Sequence, residues 1–262
     1  QPYDATLSTV TNALIAAAPV NIAAQVDHTA NAISAGLTLI NTSVIIFGNP
    51  SVGTLLLQEN QLAGLDFPQK YLIYEDDEGI VRVAFNAVEY LALRHGLENE
   101  ENLTMLNGAL NNFAGMTSDS SIFTGTSVVD LEEGIVIKES ENNFDVTYDK
   151  LFTAIDDNPN LSIVAEVNHQ EGANSVGLDL RPTKLIIFGN PNLGTPLMQS
   201  SQTVGIDLPQ KMLVWMAEDS TVNVAYNDPS YLSDRHELSD VDEQIDNATT
   251  ALDNLSNAAI TQ

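Results

Sequence analysis

The residues best suited to chemistry in this 262-residue chain come in pairs separated by one fixed interval. All four histidines obey it: His28 with His169 and His95 with His236, each pair 141 positions apart. Neutral imidazole ligates divalent metals and haem iron and can act as a general acid or base near neutral pH. The same interval joins Lys70 with Lys211, Asn86 with Asn227, Arg94 with Arg235, Asn49 with Asn190 and Tyr90 with Tyr231, so each could line a ligand pocket. Lysine and arginine together number only 9, which makes retention of two lysines after a Pro-Gln pair notable. The alternative duties for all of them are fixing turns, capping helices and pairing with carboxylates. Neither local histidine spacing matches a metalloenzyme motif. Asp27-His28, Asn168-His169 and the two Arg-His pairs are adjacent in sequence, so both members of a pair rarely face one site.

Other chemistry is absent from the sequence. No nucleophile elbow, phosphate loop, HExxH helix or EF-hand loop occurs, so no catalytic motif is found and no enzyme is expected. Cysteine is absent, which excludes disulfides, zinc-thiolate sites, iron-sulfur clusters and c-type haem attachment. No cofactor is required, and unmodified haem or a divalent metal on the histidines stays open as the ligand-binding alternative. With 36 acidic residues against 9 basic ones the formal net charge is -27, a surface that repels phosphate backbones and anionic lipids. Nucleic acid is therefore not an expected partner. No apolar run reaches the length of a membrane-spanning helix. The chain begins at Gln1 without an initiator Met, and a secreted, extracellular or cell-surface location is the expectation.

The pairing reflects an internal repeat. IIFGNPSVGTLLLQ from Ile45 matches IIFGNPNLGTPLMQ from Ile186, and the interval holds without a gap from Tyr3 and Asp4 (Phe144 and Asp145) through Gly64, Asp66, Pro68, Gln69 and Lys70 (Gly205, Asp207, Pro209, Gln210 and Lys211). It ends at Arg94, His95 and Leu97 against Arg235, His236 and Leu238. The strings FGNPNLGTPLM, GIDLPQK, LVW, AYNDP and YLSDRHEL resemble the bacterial and archaeal family known as domain of unknown function 302. The resemblance covers both repeats and implies a compact α+β domain that tends to pair with a second copy; it implies no chemistry. The first repeat departs from the pattern where Ile40-Asn41 stands for Arg181-Pro182 and Ala87-Val88 for Asp228-Pro229, so a site needing Arg181 or Asp228 could exist only once.

The elements that must position these residues follow from periodicity. In the second copy, 135–137 reads as a β-branched strand. Residues 145–155 read as a helix offering Val146, Leu151, Phe152 and Ile155 to one face. Alternation predicts a strand over 161–167, a buried strand over 184–188 closed by Gly189-Asn190-Pro191, and a helix over 193–201. A hairpin follows at 211–216 and 222–226, and Pro229 behind Asp228 opens a last helix. Further helices trail each copy, with stripes at Leu103, Leu106, Leu110, Phe113 and at Val241, Ile245, Leu252, Leu255. The expected fold is α+β, two tandem copies of a β-α-β-β-α-β-β-α domain forming an intramolecular pseudo-dimer. Its divisions are a first repeat over 1–117, a linker over 118–134 and a second repeat over 135–262.

The strands do not balance. The first copy has no counterpart of the opening strand at 135–137, whereas the linker carries an unmatched β-prone segment over 121–131 with Ile122, Phe123, Thr124, Val128 and Val129. An unfilled sheet position exposes backbone donors and acceptors and must be covered. If the linker strand folds back within its chain the product is a closed monomer; if it enters a second copy the contact is head-to-tail and propagates. The leading expectation is a secreted structural protein whose partner is itself, a homopolymer built by strand donation.

Overall fold

The computed structural model describes residues 2–115 and 128–262, so Ile122, Phe123 and Thr124 of the expected surplus strand lie outside the described residues. The first copy runs α1 (Tyr3–Ala16), β1 (Asn21–Asp27), α2 (His28–Ser34), β2 (Thr42–Gly48), α3 (Pro50–Glu59), a 3-10 turn (Gln61–Leu65), β3 (Gln69–Glu75), β4 (Val81–Ala84), α4 (Val88–His95) and the trailing α5 (Glu100–Ala114). The second runs β5 (Ile135–Ser140), α6 (Phe144–Asp156), β6 (Ser162–Asn168), α7 (His169–Ser175), β7 (Thr183–Gly189), α8 (Pro191–Ser200), a 3-10 turn (Gln202–Ile206), β8 (Gln210–Met216), β9 (Val222–Asn227), α9 (Pro229–Arg235) and α10 (Asp242–Ile260). The expected order is present, with one helix added: α7, and α2 in the first copy, are single short segments whose sequences carry no apolar stripe to announce them. Asp27 and Asn168 start them by accepting from the backbone N–H of Ala30 and Glu171.

Both sheets are wholly antiparallel, in the orders β1-β2-β3-β4 and β5-β9-β8-β7-β6. Side chains alternate across a strand, and here both faces are apolar because both are covered. In the first copy Ile45, Phe47, Tyr71, Ile73, Val83 and Phe85 pack outward against Val10 and Leu14 of α1 and Leu106, Leu110 and Phe113 of α5. Val44, Ile46, Leu72 and Ala84 point the other way and meet Leu185, Ile187, Leu213 and Ala225 of the second sheet. The result is four layers, helices on sheet on sheet on helices, with a shared core in the middle. Lys70 and Lys211 are in phase with the inward set, two residues before Leu72 and Leu213, and so enter the seam.

Local signals account for the helices. Asn49 and Asn190 cap α3 and α8 with Pro at the first turn, placing the conserved turn at the same point of each sheet. Helix α9 is capped by Asp228, whereas α4 starts behind Ala87 with no side-chain cap. In α6 the buried face is Phe144, Tyr148, Leu151 and Ile155; Phe152 is partly buried and Val146 is exposed, because capping by Asn143 starts the helix at Phe144 and sets its phase.

The sheets differ in one respect. β5 pairs with β9 from Ile135↔Asn227 to Ser140↔Val222, whereas β4, which occupies the place of β9 in the first copy, pairs only with β3 among the described residues. Of the linker residues proposed as donors, Val128 is exposed and Val129 is buried in the core of its own first copy.

Candidate functional site

The repeat-related polar residues converge on the seam in two mirrored sets. Each set hangs on an aspartate that follows the 3-10 turn. Asp66 Oδ2 accepts from Arg94 Nη1 at 2.7 Å and lies 2.8 Å from His95 Nε2; Asp207 Oδ2 has the same partners in Arg235 Nη1 at 2.7 Å and His236 Nε2 at 2.8 Å. The arginines then cross between copies: Arg94 Nη2 donates to Asn227 Oδ1 at 2.9 Å and Arg235 Nη2 to Asn86 Oδ1 at 2.7 Å. Tyr90 and Tyr231 meet hydroxyl to hydroxyl at 3.0 Å, with the Arg235 guanidinium 4.2 Å from the Tyr90 ring and that of Arg94 5.0 Å from the Tyr231 ring. Lys70 Nζ stands 3.8 Å from Oδ1 of both Asp66 and Asp207, and Lys211 Nζ 3.8 Å from Asp66 Oδ1.

These groups are sealed from solvent, and their ionisation follows from that. The guanidiniums hold both aspartates well below the usual carboxylate range despite burial, Arg94 beside Asp66 and Arg235 beside Asp207. Burial and the neighbouring Lys70 ammonium pull Lys211 down to about 7. Burial pushes the Tyr90 phenol far up. Two guanidiniums and two lysine side chains thus surround two carboxylates. The side chains of Asp66, Arg94, His95, Asp207 and His236 have no surface exposed to solvent. What the arrangement does is join the copies, since removing any arginine unpairs groups on both sides.

The two arginines differ at Nε and Nη2. Arg94 Nε donates to Glu133 O at 3.0 Å and Nη2 approaches Gly134 O at 3.3 Å, the residues that lead into β5. Arg235 Nε is buried with no hydrogen-bond partner, because no described segment leads into a strand beside β4. Gly134 is held close: at φ +66, an added Cβ would sit 2.0 Å from Tyr231 Cγ.

His28 and His169 lie elsewhere. Each reaches across the seam to the other copy's 3-10 turn, His28 against the backbone of Gly205 and Leu208 and His169 against that of Gly64 and Phe67, though Nε2 of each closes no hydrogen bond. Burial pulls both down to about 4, so they are neutral at ordinary pH. The glycines of the turns permit the approach: a Cβ on Gly64 would sit 3.5 Å from the His169 ring and 3.0 Å from Leu213, and one on Gly205 would meet Leu72 at 2.8 Å. The four histidines thus fall into two sets, His95 and His236 beside the central aspartates and His28 and His169 against the other copy's 3-10 turns, and no group of three or more His, Asp or Glu suited to a metal occurs among the described residues. Asn49 and Asn190 serve as helix caps. Arg181, present only once, donates across the seam to Gln61 at 2.9 Å.

The sequence reading missed the pivotal pair, Asp66 and Asp207. The signal was present, since both are kept at the same interval four residues before the lysines; in a chain with 36 acidic residues a carboxylate draws less attention than a histidine.

A family model described as domain of unknown function DUF302 matches residues 1–113 and again 136–258. Two curated relatives, each called fluoride-specific ion channel FluC 1, come from Brucella suis biovar 1 and Brucella abortus biovar 1. Each is 39% identical over 108 residues, 41% of this chain and 42% or 40% of the relative. The matched region thus spans less than half the length of those relatives, and no helix of the described residues is long and apolar enough to cross a membrane. A crystal structure of an uncharacterised conserved DUF302 protein from Bacillus stearothermophilus matches 48% of this chain and 98% of its own, with a TM-score of 0.44 and 16% identity.

Proposed function

The chain belongs to the DUF302 family, whose domain it carries twice, and from that premise we propose that it is a self-assembling structural subunit in which a strand from a second copy completes the first sheet. The observation that carries the reading is the unequal pair of sheets, with β4 paired on one side only among the described residues where β9 has β5. The bare Arg235 Nε supports it independently, because in the other half of the molecule that atom binds the carbonyl of the segment entering the missing position. An edge strand with unmet N–H and C=O groups is a template for strand addition. The donor is the β-prone linker sequence around Ile122, Phe123 and Thr124; Val129 stays anchored in its own first copy.

Donation from one copy to the next is a heterologous contact, which closes into a ring or extends into a filament. We propose an extracellular or cell-surface location for such a filament. Light scattering behind size exclusion, with electron microscopy of concentrated protein, tests the proposal. Assemblies that grow with concentration and vanish when 121–127 is replaced by a Gly-Ser stretch are the expected result; a monomer at every concentration with the native linker would overturn it.

A further inference from the structure

Apart from the two aspartate-centred sets, the buried polar atoms of the described residues without a hydrogen-bond partner are His28 Nε2, His169 Nε2, Thr195 Oγ1 and Gln210 Oε1. All four residues line one of two pseudo-equivalent cavities that lie beneath the trailing helices, one of about 200 Å³ containing His169 and one of about 280 Å³ containing His28, Thr195 and Gln210. A buried polar atom with no partner costs roughly 1–3 kcal/mol, and three of the residues that carry one line the larger cavity. The rest of the wall is mostly apolar, with Phe188, Leu197, Met198, Leu252 and Leu255, and adds the uncharged polar side chains of Asn31, Ser34, Ser162 and Asn190.

We propose that the second-copy cavity binds a compact, uncharged molecule with an apolar body and a hydroxyl or amide head. Size follows from the volume, which is at the small end for ligand pockets. Absence of charge follows from the wall: no Asp, Glu, Lys or Arg lines it, so a carboxylate or ammonium guest would lose its hydration without a counter-ion. Burial keeps His28 neutral at ordinary pH, which removes the last candidate counter-ion. The head must both donate and accept, because Gln210 Oε1 only accepts, the Thr195 hydroxyl does either, and neutral His28 presents one or the other at Nε2. The first-copy cavity is the lesser site: Phe67 and Phe113 occupy the places of Leu208 and Leu255, and only His169 is bare there.

Titration of the full chain with benzyl alcohol, benzoate and benzylammonium, followed by methyl NMR, tests this. Saturable shifts at Leu197, Met198, Leu252 and Leu255 are expected for benzyl alcohol, with binding at least about tenfold weaker for the two ions. Thr195→Val preserves shape and should weaken benzyl alcohol several-fold while leaving toluene unchanged. Ala251→Phe, which fills the cavity from α10, should abolish the shifts with the circular-dichroism spectrum retained. No saturable shift at these methyls, equal binding of benzoate, or undiminished binding by Ala251→Phe would each overturn the proposal.

Discussion

Replacing Asp66 with asparagine preserves the shape of the side chain and removes its charge. In the native seam that charge neutralises Arg94, bonded at 2.7 Å, and faces two ammoniums at 3.8 Å, all of them excluded from water. Breaking one partner of such a buried pair leaves the other charge uncompensated and costs about 3–5 kcal/mol, against a total of about 5–15 kcal/mol for a typical domain. Urea unfolding at pH 7 should therefore show the midpoint of Asp66→Asn well below wild type. The double variant Asp66→Leu with Arg94→Met, which removes both charges, should lose less than the sum of the two single changes by at least about 1 kcal/mol. Acid provides a second reading of the same group. Because the folded pKa of Asp66 is depressed, its contribution is present above the ordinary carboxylate value near 3.9 and is lost as pH falls through the folded value. The acid limb of the stability curve should thus be shallower in Asp66→Asn. A loss under about 1 kcal/mol, or strict additivity in the double variant, would show that the seam is not held by this pair.

Other perturbations follow from the same geometry. His28 and His169 are depressed to about 4, so the unfolded chain takes up protons before the folded one; stability should be full above pH 6.5 and decline towards pH 4, and a His28→Gln, His169→Gln double variant should flatten that decline. Lys211, depressed to about 7, contributes full stability above its unfolded value near 10.4 and loses it as pH falls to 7, so the melting temperature should rise from pH 7 to 10 in wild type and less so in Lys211→Met. Gly134→Ala combines a positive φ with a Cβ inside the Tyr231 ring and should cost roughly 3 kcal/mol or more by urea unfolding. Gly205→Ala, pressing on Leu72 at 2.8 Å, should cost about 1–3 kcal/mol.

The duplication and the succession of strands were legible because they rest on local signals: alternating β-branched runs, Gly-Asn-Pro turns and capped helix starts. The inequality of the sheets was also legible, since β5 has no counterpart near Gln1 and a strand is short enough to count. Less was visible of the site. Its candidate residues Lys70, Lys211, Asn86, Asn227, Arg94, Arg235, His95 and His236 do come together, but only because two sheets stack face to face, a relation that no spacing along the chain expresses. Asp66 and Asp207 were matched in the repeat but not singled out as site residues, since their partners lie 28 and 29 residues further on. His28 and His169 share the interval of the other pair yet go elsewhere, since they follow β1 and β6 and meet the other copy's 3-10 turn instead of the central aspartates.

The middle core has one further consequence. Val44, Ile46 and Leu72 share one cluster with Leu185, Ile187 and Leu213 of the other half, while each 3-10 turn rests on the opposite copy. Severed within the linker, the chain would yield two fragments that each present a greasy slab to water, soluble only in each other's company. Expressed apart they should precipitate; expressed together they should find one another and reconstitute the block, making this protein a ready split pair whose reunion can report that two fused partners have met.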